Sequence, residues 1–595
     1  MAQQLDDNQR TALAVLLCIM VFIFYSQYVV PPPVPAPQAV PAQTATGAAA
    51  MQAPAQISSA AVAATGGSAA VATTTSALPT QDQLSQSTST VIESDVYRAE
   101  INHLGARLSS FTLSKYRAQL DSTEPLEMVK AGSGEPLPLG LHIGSLSDAL
   151  VPFTLVSSSG AQLAPDGKTL LFDASSGAGE EPAIQLTFEG EISAGHTLRK
   201  VLRFTRSTFV FDVQASISPA LTGVEPLWLE WNTHLSEEQV KSSYNLAQVS
   251  TLDSKSSVQH FPASAIAQVY SDPLSAAWVT LGDVYFIGAL LPPLSATESL
   301  ALRPTRHARI GNSFSVRMAG TDALTDSTAQ NSFRVYIGPK AYTELQIANS
   351  QLERSVDLGW FSFLAYPLLA LLSILHKVLQ NWGLAIIALT LVIKTAFLPL
   401  TKASFTSMQA MQQLQPEVKA LRERIKDPTQ LNQEMLALYK KRGVNPMGGC
   451  LPALIQLPVF LGLYNALLNS IELRHAPFAL WVHDLSSPEY LSVLGLPIPV
   501  MVLIMGASMF AQQWTMPSSM DEQQKKIMMM MPFIFTIMFI VFPMPAGLVL
   551  YWLVNNTISI IQQMYMRSDK KAGPFAATAV ASGLIFSLGF ILTLL

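Results

Sequence analysis

Lys394 stands inside an apolar stretch, residues 382–400, that contains no acidic side chain. Read as a membrane-spanning helix, the stretch carries an ammonium with no counter-charge, at a cost of roughly 2.5–3.5 kcal/mol near a bilayer centre. A charge kept at that cost faces a bundle interior or a wet cavity and can attract acidic groups. The alternative is snorkelling. Along the helix axis Lys394 lies about 12 Å from Lys402 at one edge and about 18 Å from Trp382 at the other, and a lysine stem reaches about half the shorter distance.

Polar side chains recur at helical spacing in the same half of the chain: Thr390 and Lys394; Ser508 and Gln512; Tyr551, Asn555 and Ser559. A spacing of four places each set on one helix face. In lipid these faces turn inward, because an unsatisfied polar group is costly there. Each alone reads as an interhelical hydrogen bond, worth about 0.6 kcal/mol on average. Together with the unpaired lysine, they outline a hydrophilic groove holding one positive charge. Methionines crowd the same helices, among them Met501, Met505, Met509 and the run 528–531. Most read as core filler, and a minority as adaptable apolar contacts for varied ligands.

Enzyme chemistry is poorly represented. The chain has no Walker-type phosphate loop and no His-Glu-x-x-His motif. Glu472 and His475 stand three apart, too few ligands for a metal site, and read with Arg474 as a loop ion-pair cluster. Ser508 with Lys394 as base is the one arrangement that would suit a membrane protease. No catalytic residue, metal or cofactor is expected.

The elements that position these residues follow from composition. Of 595 residues, 49% are hydrophobic and 13% charged, about half the charged fraction usual in soluble domains, and mean hydropathy is +0.31. This is the composition of an integral membrane protein. Residues 11–30 supply about 20 apolar positions, long enough to span. Arg10 is outnumbered by Asp6 and Asp7, so residues 1–30 read as an uncleaved anchor rather than a signal peptide. Residues 31–90 hold one charge, Asp82, and few bulky apolar side chains, which predicts a linker.

Residues 91–345 change to short β-rich runs at 169–174, 184–189, 201–213, 227–231, 314–318 and 333–337, with turn signals at Asp166-Gly167 and Gly311-Asn312. This pattern predicts a β-sandwich. Cys18 and Cys450 both lie outside it, so no disulfide framework is available there. The loop 401–448 carries eight basic residues against four acidic ones, which places it in the cytoplasm. For the β domain to be outside, residues 358–379, bent at Pro367, must form an interfacial or re-entrant helix. Spans follow at about 382–400, 449–470, 494–514, 528–543 and 547–566. Residues 401–448, broken at Asp427-Pro428, form a two-helix cytoplasmic hairpin. Residues 567–595 read as a basic tail with one more candidate span at 574–595. No basic cluster with interleaved aromatics suggests a nucleic-acid partner.

Several motifs carry a resemblance: Asn381-Trp382-Gly383-Leu384-Ala385-Ile386-Ile387, Lys394 through Pro399-Leu400-Thr401, Asn445-Pro446-Met447-Gly448-Gly449-Cys450-Leu451-Pro452, Ile471-Glu472-Leu473-Arg474-His475-Ala476-Pro477-Phe478, and Gly547-Leu548-Val549-Leu550-Tyr551-Trp552-Leu553-Val554-Asn555-Asn556. They closely resemble the YidC/Oxa/Alb membrane protein insertases over residues 355–566. The anchor, linker and β domain ending Tyr336-Ile337-Gly338-Pro339-Lys340 are similar to the Gram-negative subtype. The resemblance implies a polytopic α-helical membrane protein of the bacterial inner membrane, with a five-helix insertase core plus the anchor and a periplasmic all-β supersandwich domain. It implies insertion of newly made membrane proteins without nucleotide hydrolysis, alone or beside the Sec translocon.

Lys394 falls where the family places its groove cation, usually arginine. Lysine keeps the charge but loses the fork of donors. The implied groove comprises Lys394, Thr390, Ser508, Gln512, Tyr551, Trp552 and Asn555. The implied receiving hairpin comprises Met408, Met411, Arg422, Arg424 and Tyr439. Partners implied are nascent membrane proteins, the Sec translocon, the ribosome through Arg567, Lys570 and Lys571, the signal-recognition receptor and the lipid bilayer. Two other classes remain open on the residues themselves, a membrane transporter or channel and a non-catalytic assembly scaffold.

Overall fold

The computed structural model describes residues 79–130, 135–173, 181–221, 226–234, 247–294, 301–310, 313–320, 330–444, 451–516 and 522–567, with Ile585, Gly589 and Thr593. The expected anchor, the linker through residue 78, the Gly311-Asn312 turn, residues 445–450 and most of the tail lie outside the described residues.

Ordered structure begins before the expected boundary at residue 91. Thr80 and Gln83 form a reciprocal capping box on helix α1, Gln81–Gln86, and Leu84 on it is buried. The first strand, Ser89–Glu93, follows directly. A single buried leucine on a capped turn is enough to end the linker early.

Among the described residues the β domain has one nine-stranded and two six-stranded sheets. In the nine-stranded sheet, His196–Thr205 pairs antiparallel with Val210–Ser218, which pairs with Gln330–Pro339. Burial alternates residue by residue along Val210–Ser218, so Phe211, Val213, Ala215 and Ile217 face the core, as a strand with one covered face requires. The expected single run 201–213 is therefore two strands. They turn between Thr205 and Val210, where Thr205 Oγ1 donates to the Val210 carbonyl at 2.8 Å, and Phe204 stacks on Phe211 at 4.8 Å. Leu227–His234 is buried on both faces over its first six residues and lies inside its sheet, between Ser313–Ala319 and Gly140–Ile143. Its Trp231 packs so closely on Phe286–Leu291 of the nine-stranded sheet that a Cβ on Gly288 would fall 2.0 Å from the indole.

Two charged clusters interrupt the apolar core. Lys200 points inward among Leu198, Leu202 and Phe204 and donates to Asp148 at 3.2 Å and to the Leu139 carbonyl at 2.6 Å, while Arg107 Nε donates to the same carboxylate at 2.9 Å. Glu230 is bound by His142 and Ser315, by Tyr270 at 2.7 Å and by Arg317 at 3.2 Å.

After the short helix α2, Tyr342–Ile347, the chain turns helical: α3 Ser362–Leu379, α4 Trp382–Ala396, α5 Leu398–Gln413, α6 Gln415–Arg424, α7 Pro428–Lys441, α8 Leu451–Leu468, α9 Val500–Thr515, α10 Glu522–Val541 and α11 Ala546–Arg567. Among the described residues α3 is long and apolar enough to cross a membrane, with mean hydropathy 1.7 over 18 residues, and α4 with α5 passes the same test as one broken pair. Gln380, left-handed at φ 56°, ends α3. Asn381 then caps α4 by accepting from Leu384 N at 3.0 Å, and His376 stacks on Trp382 at 3.8 Å.

Several expected boundaries shift. The stretch 382–400 is not one straight helix, because the chain bends by 60° between α4 and α5, at Phe397, with Pro399 inside the first turn of α5 where it needs no donor. The hairpin 401–448 contains three helices rather than two: the break at Asp427-Pro428 is present, with Asp427 capping α7 through Thr429 N at 3.2 Å and Gln430 N at 3.3 Å, but a second break at Leu414 precedes Pro416. Arg442 closes α7 onto Glu417 of α6 at 2.7 Å. Residues 494–499 are not helical. They belong to a small hairpin, Leu491–Val493 with Leu496–Ile498, turning at Leu494 and Gly495, both left-handed. Helix α10 begins at Glu522, ahead of the expected 528.

Candidate functional site

Helix α11 is the element on which the polar residues of the membrane module meet. Its apolar face, including Val549, Leu550, Val554 and Ile558, packs into one core with Ile386, Leu389 and Ile393 of α4 and Met501, Val502 and Met505 of α9. That packing leaves amide side chains of the helix against its neighbours, and three of them bond across. Gln456 of α8 donates to Asn555 Oδ1 at 3.0 Å, Asn556 donates to Ser508 Oγ of α9 at 3.1 Å, and Thr515 of α9 donates to Gln563 Oε1 at 2.7 Å.

Lys394 is 6% exposed. Its ammonium donates to Ser559 Oγ at 2.8 Å, and the Ser559 hydroxyl donates to the Asn555 carbonyl at 2.8 Å. The side chain therefore runs across to α11 and not along its own helix to the bilayer edge, so snorkelling does not describe it. Its partner is a neutral hydroxyl, and no carboxylate pairs with it among the described residues.

A cavity of about 300 Å³ opens between α9, α10 and α11. Gln512, Gln513, Asn555 and Asn556 supply its polar wall, and Trp552, Met531 and Phe535 its apolar one. Trp552 is held by edge contacts to Phe460 at 5.0 Å and Phe539 at 5.3 Å. Close approach of α9 to α10 at the site depends on Gly506, where a Cβ would lie 2.1 Å from Thr536 Oγ1. Such a chamber can hold polar groups by amide hydrogen bonds while its apolar wall meets a greasy chain.

Of the expected groove residues, Gln512, Trp552 and Asn555 line this cavity. Ser508 does not line it but braces it through Asn556. Lys394 sits one turn beyond the cavity, behind Ser559. Thr390 is spent within α4, donating to the Ile386 carbonyl at 2.7 Å, and Tyr551 is buried beside Phe460 at 6.2 Å. The Ser508–Lys394 dyad is not assembled, since each bonds a different residue of α11. Hairpin residues Met408 and Met411 are half-buried on α5, Arg422 and Arg424 exposed on α6, and Tyr439 half-buried on α7. None of them lines the cavity.

Sequence reasoning missed Gln456, Gln513, Asn556 and Gln563. The signal was available: Trp552, Asn556, Ser559 and Gln563 follow a 4-3-4 spacing, which tracks one face of a helix better than a strict four. The expected Glu472–Arg474–His475 ion pairing is also absent from the described contacts. Glu472 accepts from Ser470 at 2.6 Å, Arg474 donates to the carbonyls of Arg117 at 2.9 Å and Ala118 at 3.0 Å, and His475 N donates to Asp484 at 3.0 Å. Backbone carbonyls of the β domain outcompete a solvated carboxylate for that guanidinium.

A helical module of membrane composition, joined to a large β domain and containing a buried cation and an amide-lined cavity, defines the class as an integral membrane protein with a large extramembrane β domain. Residues 374–573 match the family described as 60Kd inner membrane protein, and residues 89–371 match the YidC periplasmic domain. The membrane protein insertase YidC of Syntrophobacter fumaroxidans is 37% identical over 81% of this chain and 86% of its own, and that of Geobacter metallireducens 34% identical over 94% and 98%. A solved active YidC insertase, with its first transmembrane domain resolved, covers 81% of this chain and 92% of its own at 18% identity and TM-score 0.34. The chain belongs to the YidC family of membrane protein insertases, inner-membrane proteins with a periplasmic domain.

Proposed function

We propose that this chain inserts new membrane proteins by holding their polar flanks in the cavity between α9, α10 and α11 while the apolar segment passes into lipid along the exposed faces of these helices. Residues Phe533, Ile534 and Ile537 of α10 are more than half exposed, as a lipid-facing surface requires. The observation that carries the reading is the Lys394 bond to a neutral serine. No carboxylate among the described residues cancels the ammonium, and in a low-dielectric interior an uncancelled positive charge attracts carboxylates more strongly than in water. The drive is transfer of apolar surface out of water, which needs no nucleotide.

Five helices, α4, α8, α9, α10 and α11, are the proposed spans, joined by the N-terminal anchor 1–30. Helix α3 is the proposed interfacial helix on the periplasmic side, and residues 401–448 are the cytoplasmic platform that receives substrate. The Sec translocon, the ribosome and the signal-recognition receptor are the proposed partners of the whole chain, with the tail 567–595 as the ribosome contact. Photo-crosslinkers placed at Gln512 and at Met531 test the cavity. A nascent single-span protein should crosslink at both, and crosslinking from exposed Arg424 alone would remove the cavity from the path.

A second reading is favoured by one feature. Lys394 does not line the cavity, so it would serve a non-catalytic scaffold equally well as a pin between α4 and α11. Lys394→Met separates the two: a pin lost leaves insertion in proportion to folded protein, whereas a lost attraction stops insertion in protein that remains folded.

A further inference from the structure

A second cavity, of about 370 Å³, lies where the β domain meets the membrane module. The β domain contributes Lys115, Tyr116 and Arg117, and the loop after α8 contributes Glu472, Arg474 and His475. Among the lining side chains three cations stand with one carboxylate, while Asp283 and Asp484 lie near Arg474 and Glu344 near Tyr116, which leaves Lys115 and Arg117 as the cations without an acidic neighbour in the lining. Arg474 fixes the seam by donating to the Arg117 and Ala118 carbonyls and lying over Phe286 at 5.2 Å. Lys115 and Arg117 are exposed, so their charges are presented to whatever enters.

The depth of this cavity follows from its neighbours. Just before and inside the first turn of α3, Trp360 is 82% and Phe363 69% exposed, the aromatic signature of a membrane–water boundary. Asn465 and Asn469 at the end of α8 donate to the Leu358 carbonyl at 3.2 Å and the Asp357 carbonyl at 2.9 Å. The loop that follows is therefore pinned at the level of Trp360. Ile471 and Leu120 add apolar wall to the same cavity. A basic chamber with apolar sides, at headgroup depth and within the range of roughly 300–1,000 Å³ typical of ligand sites, suits an amphipathic anion.

We propose that this cavity binds the phosphodiester headgroup of an anionic phospholipid from the outer leaflet, and that the bound lipid closes the seam between the β domain and the membrane module. The assignment rests on the β domain facing the outer side of the membrane, and it is independent of how substrates are inserted. A phosphate free in solution or an acidic peptide would share the charge chemistry but not the apolar contacts with Ile471 and Leu120.

The test uses the purified full-length chain in a neutral detergent, titrated with short-chain phosphatidylglycerol and followed by native mass spectrometry. Phosphatidylcholine, glycerol phosphate and an acidic peptide form the other arms. The variant Lys115→Gln/Arg117→Gln removes two charges while leaving the Arg117 carbonyl that Arg474 needs. Wild type should bind phosphatidylglycerol saturably and in preference to all three controls. The double variant should bind it weaker by roughly 5-fold for each cation removed, with an unchanged melting temperature in lipid-free detergent. The charge-keeping Lys115→Arg/Arg117→Lys variant and the groove variant Lys394→Ala should bind as wild type does. Equal affinity in the double variant, or tighter binding of glycerol phosphate or the peptide than of the lipid, would overturn the proposal.

Discussion

At the scale of the residue, what matters at Lys394 is the neutrality of its partner. Ser559 gives the ammonium an acceptor without cancelling its charge, and Ser559's proton is in turn held by the Asn555 carbonyl. Removing the hydroxyl leaves a buried ammonium one acceptor short. Ser559→Ala should therefore destabilise the membrane module by about 1.5–3 kcal/mol, read as a lower melting temperature in detergent, while Ser559→Thr should retain most of it. A melting temperature unmoved by alanine would mean that the bond contributes nothing. That Lys394 is buried against another helix was legible from sequence alone, because an unpaired charge in an apolar run has few explanations. Ser559 as its partner was not, since which helices face each other is a tertiary fact that no spacing within one helix encodes.

At the scale of the element, small residues and buried charges set how closely helices and sheets approach. Gly383, in the first turn of α4, lies against Phe478, where a Cβ would come within 2.0 Å of the ring. Asn381 holds the same loop by donating to the Phe478 carbonyl at 3.0 Å. Gly383→Ala should cost about 1–3 kcal/mol through overpacking, and Phe478→Ala in the same chain should recover part of the loss. A fully additive double variant would place the strain elsewhere.

In the β domain, burial pushes the Glu230 carboxyl up. The charges of His142 and Arg317 and the hydrogen bonds around it more than offset that, holding it well below the usual carboxylate range. A depressed folded value means that its stabilisation is fully present above the unfolded value of about 4.3 and is lost as pH falls through the folded one. Glu230→Gln should therefore cost about 3 kcal/mol at neutral pH and progressively less below about pH 4, in urea melts of the full chain at each pH. A penalty independent of pH would mean that packing, not charge, is what the carboxylate supplies. Neither cluster was legible beforehand. A lysine at 200 or a glutamate at 230 in a strand reads as an outward residue until the register puts it inside.

At the scale of the whole molecule, the apolar core of the β domain runs on to Ala365, Ala466 and Ile471 of the membrane module, and polar contacts fix the seam. Arg474 reaches the Arg117 and Ala118 carbonyls from the membrane module, and Asn465 and Asn469 hold the chain that links them. Arg474→Ala should loosen the β domain without unfolding it, seen as faster limited proteolysis between residues 340 and 360 at an unchanged melting temperature. Unchanged proteolysis would show the seam to be held without it. Composition and charge made the division into a β domain and a helical membrane module legible, since 13% charged residues gathered largely outside the apolar runs leave little choice. The break at Phe397 and the small hairpin before α9 escaped because apolar content continues through them, and the break at Leu414 because good helix formers, Gln412, Gln413 and Gln415, surround it. The cavity was half legible: Gln512 and Asn555 were marked by type and spacing and Trp552 by the resemblance, and Gln513, Asn556 and Met531 needed three helices to be brought together.

The central claim is that one uncompensated charge behind the cavity draws acidic groups of a nascent chain into it. Insertion of a small single-span protein with an acidic external tail into proteoliposomes tests it most directly, with wild type, Lys394→Ala and Lys394→Arg compared at equal amounts of folded insertase. Alanine should reduce insertion at least tenfold, arginine should retain it, and a substrate with a neutralised tail should be indifferent to the substitution. Wild-type insertion of the acidic substrate by the alanine variant would contradict it.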